Sequence, residues 1–118
     1  MSIGQGFAVI CGECFTDQAE YQAVKQALAI DREIIEISLE QMERHFCGNI
    51  LQVQSQTGEP LIVMSQSAYQ GFTPAQRQQL TSHGRLLANA IPTIEKIGGG
   101  SARCMIAEVF LPKTNAVV

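Results

Sequence analysis

The middle of the chain, about residues 49–91, carries the pattern that most restricts its fold: two strands, a helix and a third strand in succession. Asn49–Gln54 largely alternates between apolar and polar side chains, which is typical of a strand with one buried face. Thr57-Gly58-Glu59-Pro60 predicts a turn, and the apolar segment Leu61–Met64 predicts the second strand of a hairpin. Because a sheet buries its apolar face against another layer, a hairpin followed by a helix and a strand predicts a mixed α/β fold.

The helix of this central unit has recognisable ends. Thr73 is followed by Pro74, a pair that is typical of a helix N-cap and the first helical residue. Gly84 is a suitable C-cap for the same helix, and Leu86–Ile91 predicts the strand that completes the unit. The capping residues and the apolar segments therefore both support the β-β-α-β order.

The first part of the chain repeats this order of elements. Phe7–Cys11 is apolar and β-prone, which predicts a buried strand. Asp17 and Glu20 resemble a capping box, and apolar residues then recur at helical spacing, so a helix is predicted over residues 17–30. Glu33–Ser38 predicts the next strand. The same unit is therefore expected here, without its opening strand.

The missing opening strand has a consequence for domain organisation. Because the chain begins almost inside a strand, we expect it to be a piece of a longer protein. Ser38 with Gln41 forms a second capping-box pattern, which predicts a short helix to about Phe46. We expect one domain over 1–118 that contains two units, over about 1–47 and 48–91. A glycine-rich loop and a last strand, Ile106–Leu111, are expected within 92–111, and a loose tail over 112–118.

Composition limits the class of protein. The 118 residues are 46% hydrophobic and 16% charged, which is enough for the core of one domain and argues against global disorder. A net charge of −3 favours neither nucleic acid nor an anionic membrane as a partner. No apolar run approaches the ~18 residues of a membrane helix, and the N-terminus lacks a basic signal-peptide region. We expect a cytoplasmic protein whose four cysteines are reduced.

A glycine-rich loop near the C-terminus carries the strongest chemical signal. Gly98-Gly99-Gly100 is followed by Ser101 and Ala102, and then Arg103 directly precedes Cys104. Because the thiolate is the reactive form of cysteine, the adjacent positive charge favours a nucleophile by lowering the thiol pKa from its usual value of about 8.5. The backbone N–H groups from Gly99 to Ala102 are able to form a small anion-binding nest for charge on a substrate. The alternative is that the glycines form a turn and Cys104 begins a buried strand.

The segment Gly98–Met105 resembles the C-terminal nucleophile motif of the arginine deiminase and amidinotransferase group, which has the pentein fold. Gly48–Leu51, Met64–Tyr69 and Ile91–Glu95 resemble the same group, and the similarity is greatest to the branch that includes citrulline-utilisation hydrolases. The resemblance covers essentially the whole chain and corresponds to the C-terminal part of family members. It implies a partial α/β-propeller, about two β-β-α-β blades of a ring of five.

The resemblance also implies a reaction. Cys104 would attack the guanidinium or ureido carbon of a small arginine- or citrulline-like amino acid, without a metal or cofactor. In this group a histidine acts as the base and paired carboxylates bind the guanidinium, and the family places both upstream of these residues. His45 and His83 do not occupy the matching position. We therefore expect the chain to be inactive by itself.

Residues around Cys104 and one asparagine are the candidate substrate contacts. Asn49 lies at the start of a predicted strand, and from this position its side chain is able to reach the substrate. The alternative is that Asn49 is an ordinary turn asparagine. Gln66, Ser67 and Tyr69 follow a strand in the same way. The predicted catalytic residue is Cys104, and the predicted substrate-binding residues are Gly99, Gly100, Ser101, Arg103 and Asn49.

Two other functions remain open from the sequence. Cys11-Gly12-Glu13-Cys14 is a C-x-x-C motif that is compatible with a redox pair or, together with His45 and Cys47, with a zinc site. The simpler interpretation is that small residues end a buried strand. The second alternative is a non-catalytic α/β module that self-associates into a homo-oligomer, because an incomplete ring of blades leaves sheet edges and apolar faces uncovered.

Overall fold

The computed structural model describes residues 1–111, so the predicted loose tail over 112–118 lies outside the described residues. The strands in this range are β1 (Ser2–Ile3), β2 (Phe7–Ile10), β3 (Glu33–Glu36), β4 (Leu51–Gln54), β5 (Pro60–Ser65) and β6 (Arg85–Asn89). The α-helices are α1 (Gln18–Ala29), α2 (Leu39–Glu43), α3 (Gln66–Gly71) and α4 (Pro74–His83). None of the described helices is long and apolar enough to cross a membrane.

The strands form two three-stranded sheets with the same internal order. In the first sheet β1 pairs antiparallel with β2, and β2 pairs parallel with β3. In the second sheet β4 pairs antiparallel with β5, and β5 pairs parallel with β6. Because a parallel connection requires a crossover, α1 links β2 to β3, and α3 and α4 link β5 to β6. The predicted mixed α/β class is confirmed.

The opening strand that seemed absent from the first unit is present. Ser2 pairs with Val9 and Ile3 pairs with Ala8, so β1 adds an antiparallel edge to β2. The prediction of a missing strand was wrong because two residues are too few to show the alternation that identifies a strand. Both units therefore have their full set of three strands.

Helix starts follow the predicted caps. Asp17 accepts a hydrogen bond from the Ala19 N–H at 2.8 Å, so α1 begins where the sequence indicates. Ser38 and Thr73 each form a complete capping box, with a glutamine as its third helical residue. The helix α2 is shorter than predicted because Phe46, instead of continuing it, has a positive φ of 58°.

The predicted strand Ile106–Leu111 does not form. Ala102–Met105 is a single 3-10 turn, and no strand follows β6 in the rest of residues 1–111. The exposed fractions of Val109, Phe110 and Leu111 are 77%, 89% and 80%. A β-prone sequence becomes a strand only where a neighbouring edge completes its backbone hydrogen bonds, and the described residues offer no such pairing here. The alternative in which Cys104 begins a buried strand is also wrong.

The core joins the two sheets into one packed interior. Its members are buried apolar side chains in or directly after β2, β3, β5, α3 and α4 and in the segment before β4: Phe7, Val9, Cys11, Ile35, Ile37, Cys47, Ile50, Ile62, Met64, Ala68, Phe72 and Leu80. Because Cys47 and Ile50 belong to this core, the short segment between them is fixed at both ends. That segment contains Asn49.

Candidate active site

The glycine-rich loop turns the chain back after β6 and presents Cys104. Ile94–Gly98 forms one turn of π-helix, and its capping residue Gly99 has a φ of +67° and donates from its N–H to the Glu95 carbonyl at 3.2 Å. A side chain at Gly99 would be strained by this conformation. Gly100 is small for another reason: a Cβ there would lie 3.1 Å from the Cys104 sulfur. Two of the three glycines therefore shape the approach to the thiol.

The structure brings Asn49 and Cys104 together. The Asn49 Nδ2 lies 3.0 Å from the Cys104 Sγ, although the residues are 55 positions apart. The Asn49 Oδ1 accepts a hydrogen bond from the Arg103 backbone N–H at 2.9 Å. One side chain therefore contacts both the thiol and the backbone that carries it.

Asn49 is itself held by the turn that precedes it. Its N–H donates to the Phe46 carbonyl at 2.8 Å, and Phe46 adopts the left-handed conformation that bulky residues rarely take. Cys47 between them is buried, and its N–H donates to the Gln41 carbonyl at 3.0 Å. Strained backbone of this kind persists where the surroundings determine it and is concentrated at functional sites.

The environment of Cys104 lowers the pKa of its thiol below the usual value. The hydrogen bond from the Asn49 side chain is the largest cause, followed by one from the Ser101 backbone, and the charge of Arg103 contributes less. The Arg103 guanidinium is directed away from the sulfur, since it donates to the Ile106 carbonyl at 3.1 Å and to Glu108 at 3.2 Å. The sequence correctly predicted that the pKa of Cys104 is lowered. It attributed this to the charge of Arg103, which is a smaller cause than the Asn49 hydrogen bond.

The groups predicted to bind substrate in this loop contact the protein itself. Ser101 is fully buried, and its hydroxyl donates to the Glu95 carboxylate at 2.7 Å. The Gly99 N–H caps the preceding turn instead of pointing into an anion-binding nest. Gly99 and Ser101 are therefore structural in this arrangement, and substrate contact by Gly99, Gly100, Ser101, Arg103 and Asn49 stays a prediction.

The thiols of Cys14 and Cys47 have pKa values that are raised instead of lowered. Partial burial and a hydrogen bond with Cys11 raise the pKa of Cys14 to about 11. Burial raises the pKa of Cys47 to about 12, and its thiol donates to the Ala68 carbonyl at 3.6 Å. No group of three or more His, Cys, Asp or Glu side chains that could hold a metal ion occurs in the part of the chain that the structure describes. Cys11 precedes a 3-10 turn over Gly12–Cys14, and this turn provides no helix N-terminus of the thioredoxin kind.

Neither histidine is a partner of Cys104 among the hydrogen bonds of residues 1–111. His83 pairs with Glu33 at 2.8 Å, and its ring lies against Phe7 at a centroid distance of 5.3 Å. His45 packs against Gly71. Among the described residues, the surroundings of Cys104 thus favour its thiolate without a hydrogen bond from a histidine.

A pocket of about 340 Å³ lies beside Asn49 and Gly99. Its lining residues are Met1, Met42, Glu43, Phe46, Gly48, Asn49 and Gly99. Glu43 was not among the residues predicted from the sequence; it lies at the C-terminal end of α2, where an acidic side chain is unfavourable for the helix dipole. A second pocket of about 330 Å³ is lined by apolar residues such as Val63 and Met105, the latter in the 3-10 turn.

Comparison with known proteins adds an independent finding. The family model described as eukaryotic N,N-dimethylarginine dimethylhydrolase matches residues 1–111. No curated protein and no solved structure matches the chain. The matched range includes both sheets, Asn49 and Cys104. The chain belongs to the N,N-dimethylarginine dimethylhydrolase family, a member of the pentein superfamily.

Proposed function

We propose that the chain carries the nucleophile of a hydrolase that acts on arginine derivatives, and that Cys104 is that nucleophile. The contact between the Asn49 amide and the Cys104 sulfur carries this proposal, because a hydrogen-bond donor at 3.0 Å favours the thiolate. The family to which the chain belongs supports the substrate class. The raised pKa values of Cys14 and Cys47 make those thiols poor competitors.

The proposed reaction begins when the Cys104 thiolate forms a bond to the central carbon of a guanidinium or ureido group. The carbon–nitrogen bond then breaks, and the amine or ammonia leaves with a proton from a general acid. Water attacks the carbon of the resulting covalent thiouronium-type intermediate and gives its proton to the same group acting as base. The carbon–sulfur bond then breaks and releases the thiolate. Because neither histidine hydrogen-bonds to Cys104 within the described residues, we propose that this chain alone does not turn over substrate.

The pocket beside Asn49 is the proposed place for the substrate's positive charge. Its lining includes Glu43, and a guanidinium binds carboxylates with both charge and geometry. The pocket volume of about 340 Å³ accommodates a group of this size. Glu43 would therefore orient a cationic substrate toward the thiolate.

The substrate branch is a further proposal. The sequence resemblance is greatest to a branch that includes citrulline-utilisation hydrolases and leaves arginine- and citrulline-like substrates open, whereas the matched family is described as acting on N,N-dimethylarginine. We propose a small guanidino or ureido amino acid. Protection of Cys104 from alkylation by citrulline, arginine or N,N-dimethylarginine compares them without requiring turnover. Protection by none of the three would contradict the substrate class.

A pair of electrophiles tests the nucleophile. Chloroacetamidine carries the charge of a guanidinium and chloroacetamide does not, so Cys104 should react preferentially with the amidine. Cys104→Ser should abolish the label, Cys14→Ser should retain it, and Glu43→Gln should slow only the amidine. A label that survives Cys104→Ser would show that another thiol is the reactive one.

A second candidate function is self-association, and exposed apolar side chains favour it. Ile97 is 81% exposed and Phe110 is 89% exposed, and exposed apolar surface is available for contact with another chain. We propose that the two β-β-α-β units are two blades of an incomplete pentein ring whose free surface pairs with another copy. Light scattering tests this directly, and a monomer at high protein concentration would contradict it.

A further inference from the structure

We propose that Asn49 holds the Cys104 sulfur as a thiolate and is a positioning residue for the nucleophile. This role rests on the proposed function, because it matters only if Cys104 reacts. The contact joins residues 55 positions apart, so it exists only in the folded chain.

Backbone chemistry fixes the orientation of the Asn49 amide. The Arg103 backbone N–H lies 2.9 Å from the Asn49 Oδ1, and a backbone N–H can only donate. The amide oxygen must therefore face Arg103, which leaves the NH₂ group facing the Cys104 sulfur at 3.0 Å. The reverse orientation would place two donors against each other. Cys104 is thus the acceptor in this contact.

A donor aimed at sulfur stabilises the negatively charged form more than the neutral one. The pKa of Cys104 is lowered accordingly, and the Asn49 hydrogen bond is the leading cause. The neighbouring Arg103 does less because its guanidinium pairs with Glu108. The long-range amide therefore does more for the thiolate than the charge that adjoins it in the sequence.

Asn49 is held in place before any ligand arrives. Its N–H is bonded to the Phe46 carbonyl at 2.8 Å, and its own carbonyl faces the Arg103 N–H at 3.4 Å. The buried neighbours Cys47 and Ile50 fix the segment on both sides. An amide fixed in this way is suited to hold a charge at one position, because it needs no rearrangement during the reaction.

The most direct test is the rate of Cys104 alkylation by iodoacetamide as a function of pH, followed by mass spectrometry in a Cys14→Ser background. Asn49→Asp keeps an oxygen for the Arg103 N–H but replaces the donor to sulfur with a negatively charged acceptor. We expect the pKa of Cys104 to rise and alkylation at pH 7 to slow by about tenfold or more, the effect of one pKa unit. Gln22→Glu, which adds the same charge on the exposed face of α1, should leave the profile unchanged.

If circular dichroism shows that Asn49→Asp does not fold, a second variant still tests the role of Asn49. Asn49→Ala removes the donor without adding charge, so a smaller rise in the pKa is expected, and Asn49→Gln should restore part of the effect. An unchanged pH profile in the folded Asn49 variants would overturn the role of Asn49. If Cys104 of the unaltered chain reacts no faster at pH 7 than it does in the urea-unfolded chain, the proposed function itself fails.

Discussion

The side-chain amides of Gln41 and Gln76 hydrogen-bond to each other, with the Gln41 Nε2 lying 2.7 Å from the Gln76 Oε1. Each glutamine is also the third residue of its own capping box, at the start of α2 and of α4. The pair further bridges the two units, because Gln41 donates to the Gly71 carbonyl at 2.8 Å and Gln76 donates to the Glu36 carbonyl at 2.7 Å. Two local helix caps thus form one long-range junction.

This junction predicts strong coupling between the two glutamines. Gln41→Ala and Gln76→Ala should each destabilise the fold, and the double variant should cost less than the sum, with a coupling of about 0.5–3 kcal/mol. The reason is that either single change already removes their shared hydrogen bonds. Urea unfolding of the four proteins measures the coupling. Strict additivity would show that the two caps act separately.

Gly71 is predicted to tolerate no side chain. A Cβ at this position would lie 2.4 Å from the His45 Cβ and 3.0 Å from the Cys47 sulfur. Gly71→Ala should therefore cost about 1–3 kcal/mol of unfolding free energy, because the packed neighbours must move. Gly98→Ala is the matched control, since its nearest neighbour would be 4.0 Å away. Equal stability of Gly71→Ala and the unaltered chain would contradict this close packing.

The hydrogen bond between Ser101 and Glu95 is predicted to stabilise the loop that carries the nucleophile. Glu95→Ala leaves the buried Ser101 hydroxyl without its 2.7 Å acceptor, which should cost about 1–3 kcal/mol. Glu95→Gln retains an oxygen acceptor and should cost less. Thermal unfolding compares the two, and Lys96→Ala, at an exposed neighbouring position, is the control. A loss as large for Lys96→Ala would assign the effect to the helical turn instead.

The pair of Glu33 and His83 predicts a loss of stability in acid. Hydrogen bonds from His83 and then Gln79 lower the pKa of Glu33 in the folded chain. Because the folded pKa lies below the unfolded one, the stabilisation is present above the usual value of about 4.3 and is lost as pH falls through the lowered pKa. The difference in unfolding free energy between Glu33→Gln and the unaltered chain should therefore shrink between pH 6 and pH 3. Glu20→Gln, on the exposed start of α1, is the control; a constant difference for Glu33→Gln would contradict the linkage.

Local chemistry explains what could be predicted for the fold. Asp17, Ser38 and Thr73 were identifiable as helix caps because capping depends on residues within one turn. The strand pair around Gly58 was identifiable for the same reason. The two-residue strand β1 gave no sequence signal, and Ile106–Leu111 gave a false one, since pairing with a neighbouring edge decides whether such segments become strands.

The candidate site was likewise predictable only in part from the sequence. By itself, the sequence determined that Cys104 follows a glycine-rich loop and adjoins Arg103, and this identified the thiol as the candidate nucleophile. Only the tertiary structure decided which group stabilises it, by turning Arg103 toward Glu108 and placing Asn49 3.0 Å from the sulfur. The physical reason is that a hydrogen bond depends on distance and direction between atoms. For residues 55 positions apart, the packing of the two sheets sets both.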